Sequence, residues 1–584
     1  MLHTFFKLIR KHGIALLFFP VLVFLGCSIY YYHINQSFVS FTKSLFNDEI
    51  TSNTLNLHYT LNDPAAFGIK DYPITFGNAD PEAITASWQS LDAWQEILLD
   101  YPRFWLSNSN RLTYDIMNLC FKTQKEGARY PLYGEPLGPS LGTQAQLPVL
   151  LAEYSFSDKQ DVEEYLSLLT RLPAYFEDLL AYEMAKSEAG LFMNDTMAQG
   201  IIDQCNTFTS EKTNNLLFST FENRLDKLSF LTEEEKQTYR QENQAAIETF
   251  VFPAYKKLAE GIASLKGTGT NDRGLCYYPQ GKSYYSWLIK DSSGCYDNMD
   301  TILARIQMQL DSDIQELRTL VEENPSLLSE NGFQELTKHT ASLNENPETI
   351  LADLQEKIIE DFPALPAVSY DVKYVEKSLE KYSSPAFYLT APLDNPNQNV
   401  IYINSGANYQ GLDLYSTLAH EGYPGHLYQT VFSQQSGTNP VRSLLNFSGY
   451  VEGWATYIEM MSFSYADVSE ETAALYRINR SLSLGISSIL DILIHYYGYN
   501  REQAAAFLEP FGYTGETVVN TFYDTILETP ANYLKYYLGC LCFQDLQKAA
   551  RSQEREDFSL QNFHKKILET GPCPFPVLYD YVLE

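Results

Sequence analysis

Basic residues are scarce in this chain of 584 residues. Lysine and arginine number 41 against 73 aspartates and glutamates, so the formal net charge at pH 7 is −32. Such a field repels a phosphate backbone, which argues against nucleic acid as a partner. The acidic residues are interspersed and not collected in a block, a pattern typical of a solvated surface.

Cysteines are also few, and their spacing forms no recognisable framework. None of the eight has the spacing of a zinc finger, so most are expected to be small buried side chains. Cys276 and Cys295 flank a loop-rich stretch and could form a disulfide in an oxidising compartment. Cys540 and Cys542 lie two apart on a predicted helix and should therefore face different ways.

Apolar residues, by contrast, are plentiful. They make up 45% of the chain, and aromatic residues make up 14%, including 43 tyrosines. This composition predicts a substantial core, and the length allows several domain-sized units. The glycine-rich segment 267–274 is the best candidate boundary. We therefore predict an N-terminal segment of residues 1–36, a helical half of residues 37–266 and a second half of residues 267–584.

One long apolar run lies near the N terminus. Residues 14–32 carry no charge, and 19 residues are just enough to cross a bilayer. Basic residues before the run predict a membrane anchor with a cytoplasmic N terminus and the bulk of the chain outside. A lipoprotein attached through Cys27 is one alternative, although the residues before Cys27 fit the usual processing motif poorly. Free secretion is another, but no small-x-small cleavage site follows the run.

Helical spacing of apolar residues dominates the remainder. Thr232 and Glu235 have capping-box spacing at the start of a helix that Pro253 interrupts. Two β-rich runs, residues 386–392 and 399–405, predict a small β element. The predicted fold class is mainly α, with this β element and a cleft between two helical halves. Further helices are predicted over residues 297–322, 347–361, 369–382, 441–466, 470–497 and 528–549.

The most informative residues are His420, Glu421 and His426, in the sequence HEGYPGH. Two imidazoles can bind a divalent metal, and the adjacent carboxylate can act on a water molecule there. In the common H-E-x-x-H spacing both histidines share one helical face. Here the spacing is two residues longer, so an unbroken helix would point them about 120° apart. Pro424 and Gly425 favour an interruption, and we predict a helix break that brings the two histidines together.

A third ligand is expected on a later helix. Glu452, in GYVEGWATYIEMM, lies 26 residues after His426 in a segment with helical spacing. Three protein ligands leave one zinc position open, as a catalytic site requires. Glu459, two turns further on the same face, is the rival ligand or a partner that orients a histidine. Interior histidines are the alternative, but with Glu421 also in place we predict one zinc ion held by His420, His426 and Glu452.

The pair HEGYPGH and VEGWATYIE resembles the bacterial family known as domain of unknown function 885 (DUF885), which is similar to glutamate-type zinc peptidases. The resemblance continues through residues 57–69, 368–394, 490–499, 530–541 and 563–576, and so covers nearly everything after the N-terminal segment. It implies a large helical zinc-peptidase-like fold and a peptide substrate. In peptidases of that type an edge strand beside the metal helix can bind an extended peptide. A purely stabilising hairpin is the alternative for the two predicted strands.

The resemblance also implies two donors to an oxyanion. His495 and Tyr536 stand where the family carries a histidine and a tyrosine, and such a donor contributes roughly 10²–10³ in rate. Both could instead be core residues. Arg477 and Arg480 could recognise a substrate carboxylate, or be solvated or paired.

Together these features predict a membrane-tethered zinc metallopeptidase with Glu421 as general base. A zinc hydrolase of another amide or an ester is one alternative. A membrane-anchored binding protein without the chemistry is another, against which the intact set of histidines and glutamates argues. The sequence does not separate an endopeptidase from a carboxypeptidase, and it predicts neither side-chain preference nor oligomeric state.

Overall fold

The structure is a computed structural model of the chain. It describes residues 2–210, 215–328, 346–365, 367–375, 377, 380 and 383–583, and for residues 2–19, 326 and 328 it describes the backbone alone. Over these residues the protein is mainly α with one small sheet, which confirms the predicted fold class.

Helices follow one another through the first half of the chain. The predicted capping box begins α9: the Thr232 hydroxyl accepts from the Glu235 N–H, and the Glu235 carboxylate accepts from the Thr232 N–H. A π-helical segment, Ile247–Val251, interrupts the helix just before Pro253. The helices are α1 (Leu2–Ile50), α2 (Thr54–Thr60), α3 (Pro81–Leu99), α4 (Asn108–Gly127), α5 (Thr143–Glu153), α6 (Lys159–Glu188), α7 (Asp195–Ser210), α8 (Leu216–Asp226), α9 (Glu233–Ala246) and α10 (Phe252–Leu265).

The second half is helical as well, apart from the sheet. Five of its six predicted helices are present, with ends that differ by a few residues. The helices are α11 (Gly281–Ser293), α12 (Met299–Glu323), α13 (Pro347–Lys357), α14 (Gly411–Glu421), α15 (His426–Gln435), α16 (Ser448–Ser462), α17 (Glu470–His495), α18 (Arg501–Leu508), α19 (Glu516–Glu528), α20 (Asn532–Glu554), α21 (Leu560–Thr570) and α22 (Phe575–Leu583).

A three-stranded sheet precedes α14, in the order β1-β3-β2. Strands β2 (Ala386–Leu389) and β3 (Asn399–Ile403) are antiparallel, which confirms both predicted strands. Strand β1 (Tyr370–Tyr374) runs parallel to β3. The helix predicted over residues 369–382 is therefore wrong at its start, where YDVKY alternates apolar and polar residues with the period of a strand. Several later residues of that prediction lie outside the described ones.

Strand β3 lies between two large apolar clusters. All five of its residues are buried. Ile401 and Ile403 belong to the cluster built mainly from the C-terminal helices. Val400 and Tyr402, on the opposite face, belong to the cluster built mainly from α5–α10. Alternate side chains of one strand thus join the two parts of the core immediately before the helix that carries His420. The boundary predicted at residues 266 and 267 stays a prediction.

Helices α16 and α20 cross where both carry glycine. A Cβ built on Gly453 would lie 2.6 Å from backbone atoms of Gly539, and one built on Gly539 would lie 2.2 Å from the Gly449 carbonyl oxygen. No side chain fits between backbones this close. The crossing therefore fixes the separation of the two helices that carry Glu452 and Tyr536.

The N-terminal helix α1 is continuous and includes Pro20. From residue 20 onward, where its side chains are described, several apolar side chains are exposed, among them Leu22 and Phe24. Cys27 is exposed too. Wherever side chains are described, no helix has an apolar stretch long enough to cross a bilayer. The first residues of the span predicted over 14–32 lie outside the described side chains.

No disulfide joins Cys276 to Cys295. The Cys276 thiol lies 3.7 Å from the Ile494 carbonyl oxygen. Cys295 is buried and faces Arg305 instead. The Arg305 guanidinium lies 3.7 Å from the Cys295 sulfur and 3.6 Å from the Cys542 sulfur. Every cysteine of the chain is a free thiol in the structure.

The glycine crossing predicts the effect of Gly453→Ala. Alanine in a helix interior normally stabilises by roughly 0.5–1 kcal/mol, but here its Cβ meets backbone that cannot rotate away. We expect the free energy of unfolding to fall by about 1–3 kcal/mol, the cost of overpacking. Chemical denaturation measures this. Gly261→Ala is the matched control, because its Cβ would meet only the flexible Leu180 side chain. Equal or greater stability of Gly453→Ala would contradict the close crossing.

Candidate metal centre

The predicted helix break lies between the two histidines. Helix α14 ends at Glu421, and its last regular bond runs from the Gly422 N–H to the Leu418 carbonyl oxygen at 2.9 Å. Gly422 has φ −110° and ψ −97°, the Tyr423–Pro424 peptide bond is cis, and α15 begins at His426. The break confirms the prediction made from the longer spacing.

Gly425 makes the break compact. A Cβ on this residue would lie 1.8 Å from the His420 carbonyl oxygen, so only glycine fits. The Trp454 indole N–H donates to the Pro424 carbonyl oxygen at 3.0 Å. Trp454 is fully buried on α16, two residues after Glu452. The loop between the histidines is thereby held against the helix that carries the third predicted ligand.

His420, His426 and Glu452 converge on one point. The Glu452 Oε2 atom lies 3.6 Å from the His420 Nε2 atom and 3.4 Å from the His426 Nε2 atom. Around a tetrahedral zinc ion with bonds of 2.0–2.2 Å, neighbouring ligand atoms are about 3.4 Å apart. The three side chains are 12%, 14% and 23% exposed, so the centre is mostly shielded but reachable from solvent. Their chemistry and spacing fit a zinc ion.

Glu421 belongs to the same group. One of its carboxylate oxygens and one nitrogen of each histidine all lie within 4.8 Å of one another. Its Oε2 atom accepts a hydrogen bond of 2.9 Å from the backbone N–H of Tyr388 on β2. This N–H points away from β3, towards the free edge of the sheet. The edge strand thus fixes the orientation of the carboxylate, whose second oxygen has no hydrogen bond to any described residue.

Glu459 contacts the ring nitrogen of His420 that faces away from Glu452. Its Oε2 atom is 3.4 Å from the His420 Nδ1 atom, and its Oε1 atom is 2.7 Å from the Arg480 Nε atom. A carboxylate in this position fixes the ring and leaves Nε2 facing Glu452. Arg480 is occupied by Glu459, and Arg477 pairs with Glu316. Both arginines therefore have the paired role that was the alternative to substrate recognition.

The electrostatics favour a cation at this point. Burial lowers the pKa of His420, but Glu452 and Glu459 outweigh burial and raise that pKa to about 10. Burial raises the pKa of Glu452, yet the two histidines hold it well below its usual range. Burial also raises the pKa of Glu421 above its ordinary value. A cluster of buried carboxylates attracts positive charge, which either a proton or a metal ion can supply.

Of the two predicted donors, only Tyr536 joins the group. Its pKa is raised by burial first and then by the negative charges of Glu452 and Glu421. The His495 ring lies elsewhere: Nδ1 accepts from the Leu275 N–H at 3.2 Å, and Nε2 donates to the Ile526 carbonyl oxygen at 2.9 Å. Burial lowers the pKa of His495 to about 4, so the ring is neutral. His495 has no N–H left for an oxyanion, which favours the alternative of a core residue.

Three groups at or near the site were not predicted from the sequence. The Tyr388 N–H is a backbone donor and leaves no trace in residue type. Trp454 belongs to the EGWA motif. Its position two residues after Glu452 was the sequence feature that could have indicated its role. Lys535 lies beside Tyr536 and within the field of Glu452, where burial lowers its pKa. No pattern in the sequence distinguishes it from a surface lysine.

The chain belongs to a bacterial family. The sequence pattern of the bacterial proteins of unknown function DUF885 matches residues 65–582, which is most of the chain. This match confirms the family named from the HEGYPGH and EGWA motifs. No curated protein sequence matches the chain.

Two solved structures share the fold. One is a "putative lipoprotein" from Colwellia psychrerythraea, with a TM-score of 0.81 and 18% identity over 94% of this chain and 98% of that one. The other is a "putative lipoprotein of unknown function" from Shewanella oneidensis, with a TM-score of 0.62 and 17% identity over 94% and 100%. A "putative oligoendopeptidase F" from Bacillus anthracis aligns with a TM-score of 0.33 at 11% identity over 85% of this chain and 92% of that one, and this likeness carries no argument.

The geometry predicts how metal content responds to substitution. Purified protein should hold about one zinc ion per chain, and His426→Ala should lose most of it because one of three ligands is removed. Glu459→Gln should keep the ligands but lower zinc affinity by about 10–100-fold, since the partner that orients His420 is weakened. Elemental analysis and competition with a chelator measure both effects. His33→Ala, an exposed histidine on α1, is the control. Wild-type protein that takes up no transition metal would rule out the centre.

Proposed function

We propose that the protein is a zinc-dependent hydrolase, and specifically a metallopeptidase. The observation that carries this proposal is the convergence of two imidazoles and one carboxylate at tetrahedral spacing, with a second carboxylate held beside them. His420, His426 and Glu452 would hold the ion. When bound, zinc supplies a Lewis acid that polarises a carbonyl group and makes water more acidic.

Glu421 is the proposed general base. Its Oε2 atom is engaged by the Tyr388 N–H, and its other oxygen is available to accept a proton from the attacking water. The water oxygen bonds to the carbonyl carbon, the carbon–nitrogen bond breaks, and the proton passes from Glu421 to the leaving nitrogen. The raised pKa of Glu421 assists the return of this proton.

Tyr536 is the proposed donor to the oxygen of the scissile carbonyl. Burial and the charge of Glu452 raise the pKa of the phenol, so it keeps its proton at neutral pH. The charges of Glu452 and Glu421 both act on this phenol, which therefore lies on the side of the centre where these two carboxylates are. A neutral donor placed in advance stabilises negative charge as it develops.

The edge of the sheet offers a place for the substrate backbone. Strand β2 is an edge strand, and one of its outward backbone groups, the Tyr388 N–H, donates to the proposed base Glu421. An extended peptide added along this edge would cross the metal centre. This arrangement favours a peptide over an ester or a small amide, which would have no use for a strand edge.

We also propose that the N terminus holds the protein at a membrane. Cys27 is exposed on α1 among exposed apolar side chains. The two proteins of the same fold are named as lipoproteins. The exposed apolar surface fits either mode of attachment, and the names of these two proteins favour a lipid on Cys27 over an anchor that spans the bilayer.

Glu421→Gln separates binding from chemistry. The amide keeps the size of the side chain but cannot accept a proton, so turnover of a peptide substrate should fall by about 10²–10⁴-fold while zinc content stays near one per chain. The measurement is peptide hydrolysis by mass spectrometry together with metal analysis of the same sample. Glu323→Gln, on the exposed end of α12, is the control. Full activity of Glu421→Gln would remove it from the mechanism.

Tyr536→Phe isolates the proposed donor. Removing one hydroxyl should lower kcat by roughly 10²–10³-fold with little change in KM or zinc content, because the phenol acts on charge that exists only in the transition state. Tyr533→Phe, on the same helix, is the matched control. A change confined to KM would instead assign Tyr536 to substrate binding.

A further inference from the structure

A cavity of about 380 Å³ lies between helices of the first and second halves of the chain, and two of its lining residues stand one helical turn before Glu452 and Tyr536. This volume falls in the range of small-ligand pockets, roughly 300–1,000 Å³. Tyr133 and Met193 line it from the first half, and Tyr284, Ser448 and Lys535 line it from the second. Its walls combine aromatic and aliphatic surface with charged groups of both signs.

Two helices lead from this cavity to the metal centre. Ser448 lines the cavity, and Glu452 follows it by one turn on the same face of α16. Asn532 also lines the cavity, and Tyr536 follows it by one turn on the same face of α20. A substrate whose scissile bond lies at the metal centre would therefore send one end into the cavity.

Lys535 is the unusual group of this cavity. Among the residues that the structure describes, its ammonium has no hydrogen bond and no ion pair, and its nearest aromatic partner is the Tyr536 ring at 5.1 Å. The side chain is half-buried, and a partly desolvated charge without a partner is unfavourable. The other cation at the cavity wall, Arg273, stacks on Tyr277 at 3.7 Å and lies near Asp272. Lys535 is thus a preformed partner for an anion that the structure itself does not contain.

We propose that this cavity receives the C-terminal residue of a peptide, whose free carboxylate pairs with Lys535. The inference rests on the proposed peptidase function and makes the protein a carboxypeptidase. Lys535 is the residue before Tyr536, the proposed donor to the scissile carbonyl. A carboxylate paired with Lys535 would therefore lie a short distance along the peptide from that carbonyl, as the C-terminal carboxylate of a substrate does.

The rest of the cavity agrees with this end of a peptide. Glu135, Asp291 and Glu528 line its walls, and of these Asp291 has no ion pair or hydrogen bond in the described part of the chain. These carboxylates would repel a polyanion such as a chain of phosphates. A single carboxylate is small enough to pair with Lys535 alone, whereas a chain of phosphates would have to extend along these acidic walls.

The test compares one peptide in two forms, Ac-Ala-Ala-Ala-Leu with a free C terminus and the same peptide amidated. Full-length wild-type protein should cleave the free acid with a kcat/KM about 10–100-fold higher, the range of a hydrogen bond to a charged group. Lys535→Gln should lose this preference through slower cleavage of the acid alone, and Lys535→Arg should keep most of it. Lys548→Gln, an exposed lysine of the same helix, should behave as wild type.

Calorimetry of the zinc-loaded Glu421→Gln protein separates this inference from the proposed function. It should bind the acid more tightly than the amide, and adding Lys535→Gln should abolish the difference. If wild-type protein cleaves neither peptide but the binding preference appears and depends on Lys535, the peptidase function fails and the carboxylate site stands. Equal cleavage or equal binding of acid and amide, no binding of either peptide, or a preference that survives Lys535→Gln, would each overturn the site.

Discussion

The close approach of Gly425 to the His420 carbonyl oxygen is the contact on which the metal centre depends. It allows α14 to end and α15 to begin within four residues, which turns His426 back towards His420. The Trp454 indole then fixes this turn by its bond to Pro424. Because Trp454 and Glu452 share one turn of α16, the same contact brings Glu452, the third proposed ligand, into place. The segment HEGYPGH therefore packs against the segment EGWA of α16.

The fold maintains a concentration of negative charge around this interface. Glu421, Glu452 and Glu459 are all largely buried, and His420, His426 and Arg480 offset part of their charge. Burying carboxylates together is unfavourable unless positive charge accompanies them. Without metal, a proton on His420 supplies that charge, as its raised pKa shows. A metal ion must displace this proton, so metal binding should weaken as the solution becomes more acidic.

Much of the fold and of the candidate site could be predicted from the sequence, because these features depend on residues close together in the chain. Helical periodicity, the capping box at Thr232 and the proline and glycine between the histidines all act within a few residues. The predictions that failed depend on distant partners. Strand β1 is stabilised by pairing with β3, and His495 is occupied by Leu275 and Ile526. The Tyr388 N–H reaches Glu421 only because the sheet packs against α14.

That sheet also connects the two parts of the core to the chemistry. The two faces of β3 lie in different apolar clusters, and β2, its neighbour, donates directly to Glu421. A shift of the first half against the second would have to move β3 and with it the hydrogen bond that orients the carboxylate, because packed cores transmit displacement and do not absorb it. The same two halves form the walls of the cavity beside Lys535. Strand β3 therefore connects the packing of both parts of the core to the hydrogen bond that orients Glu421.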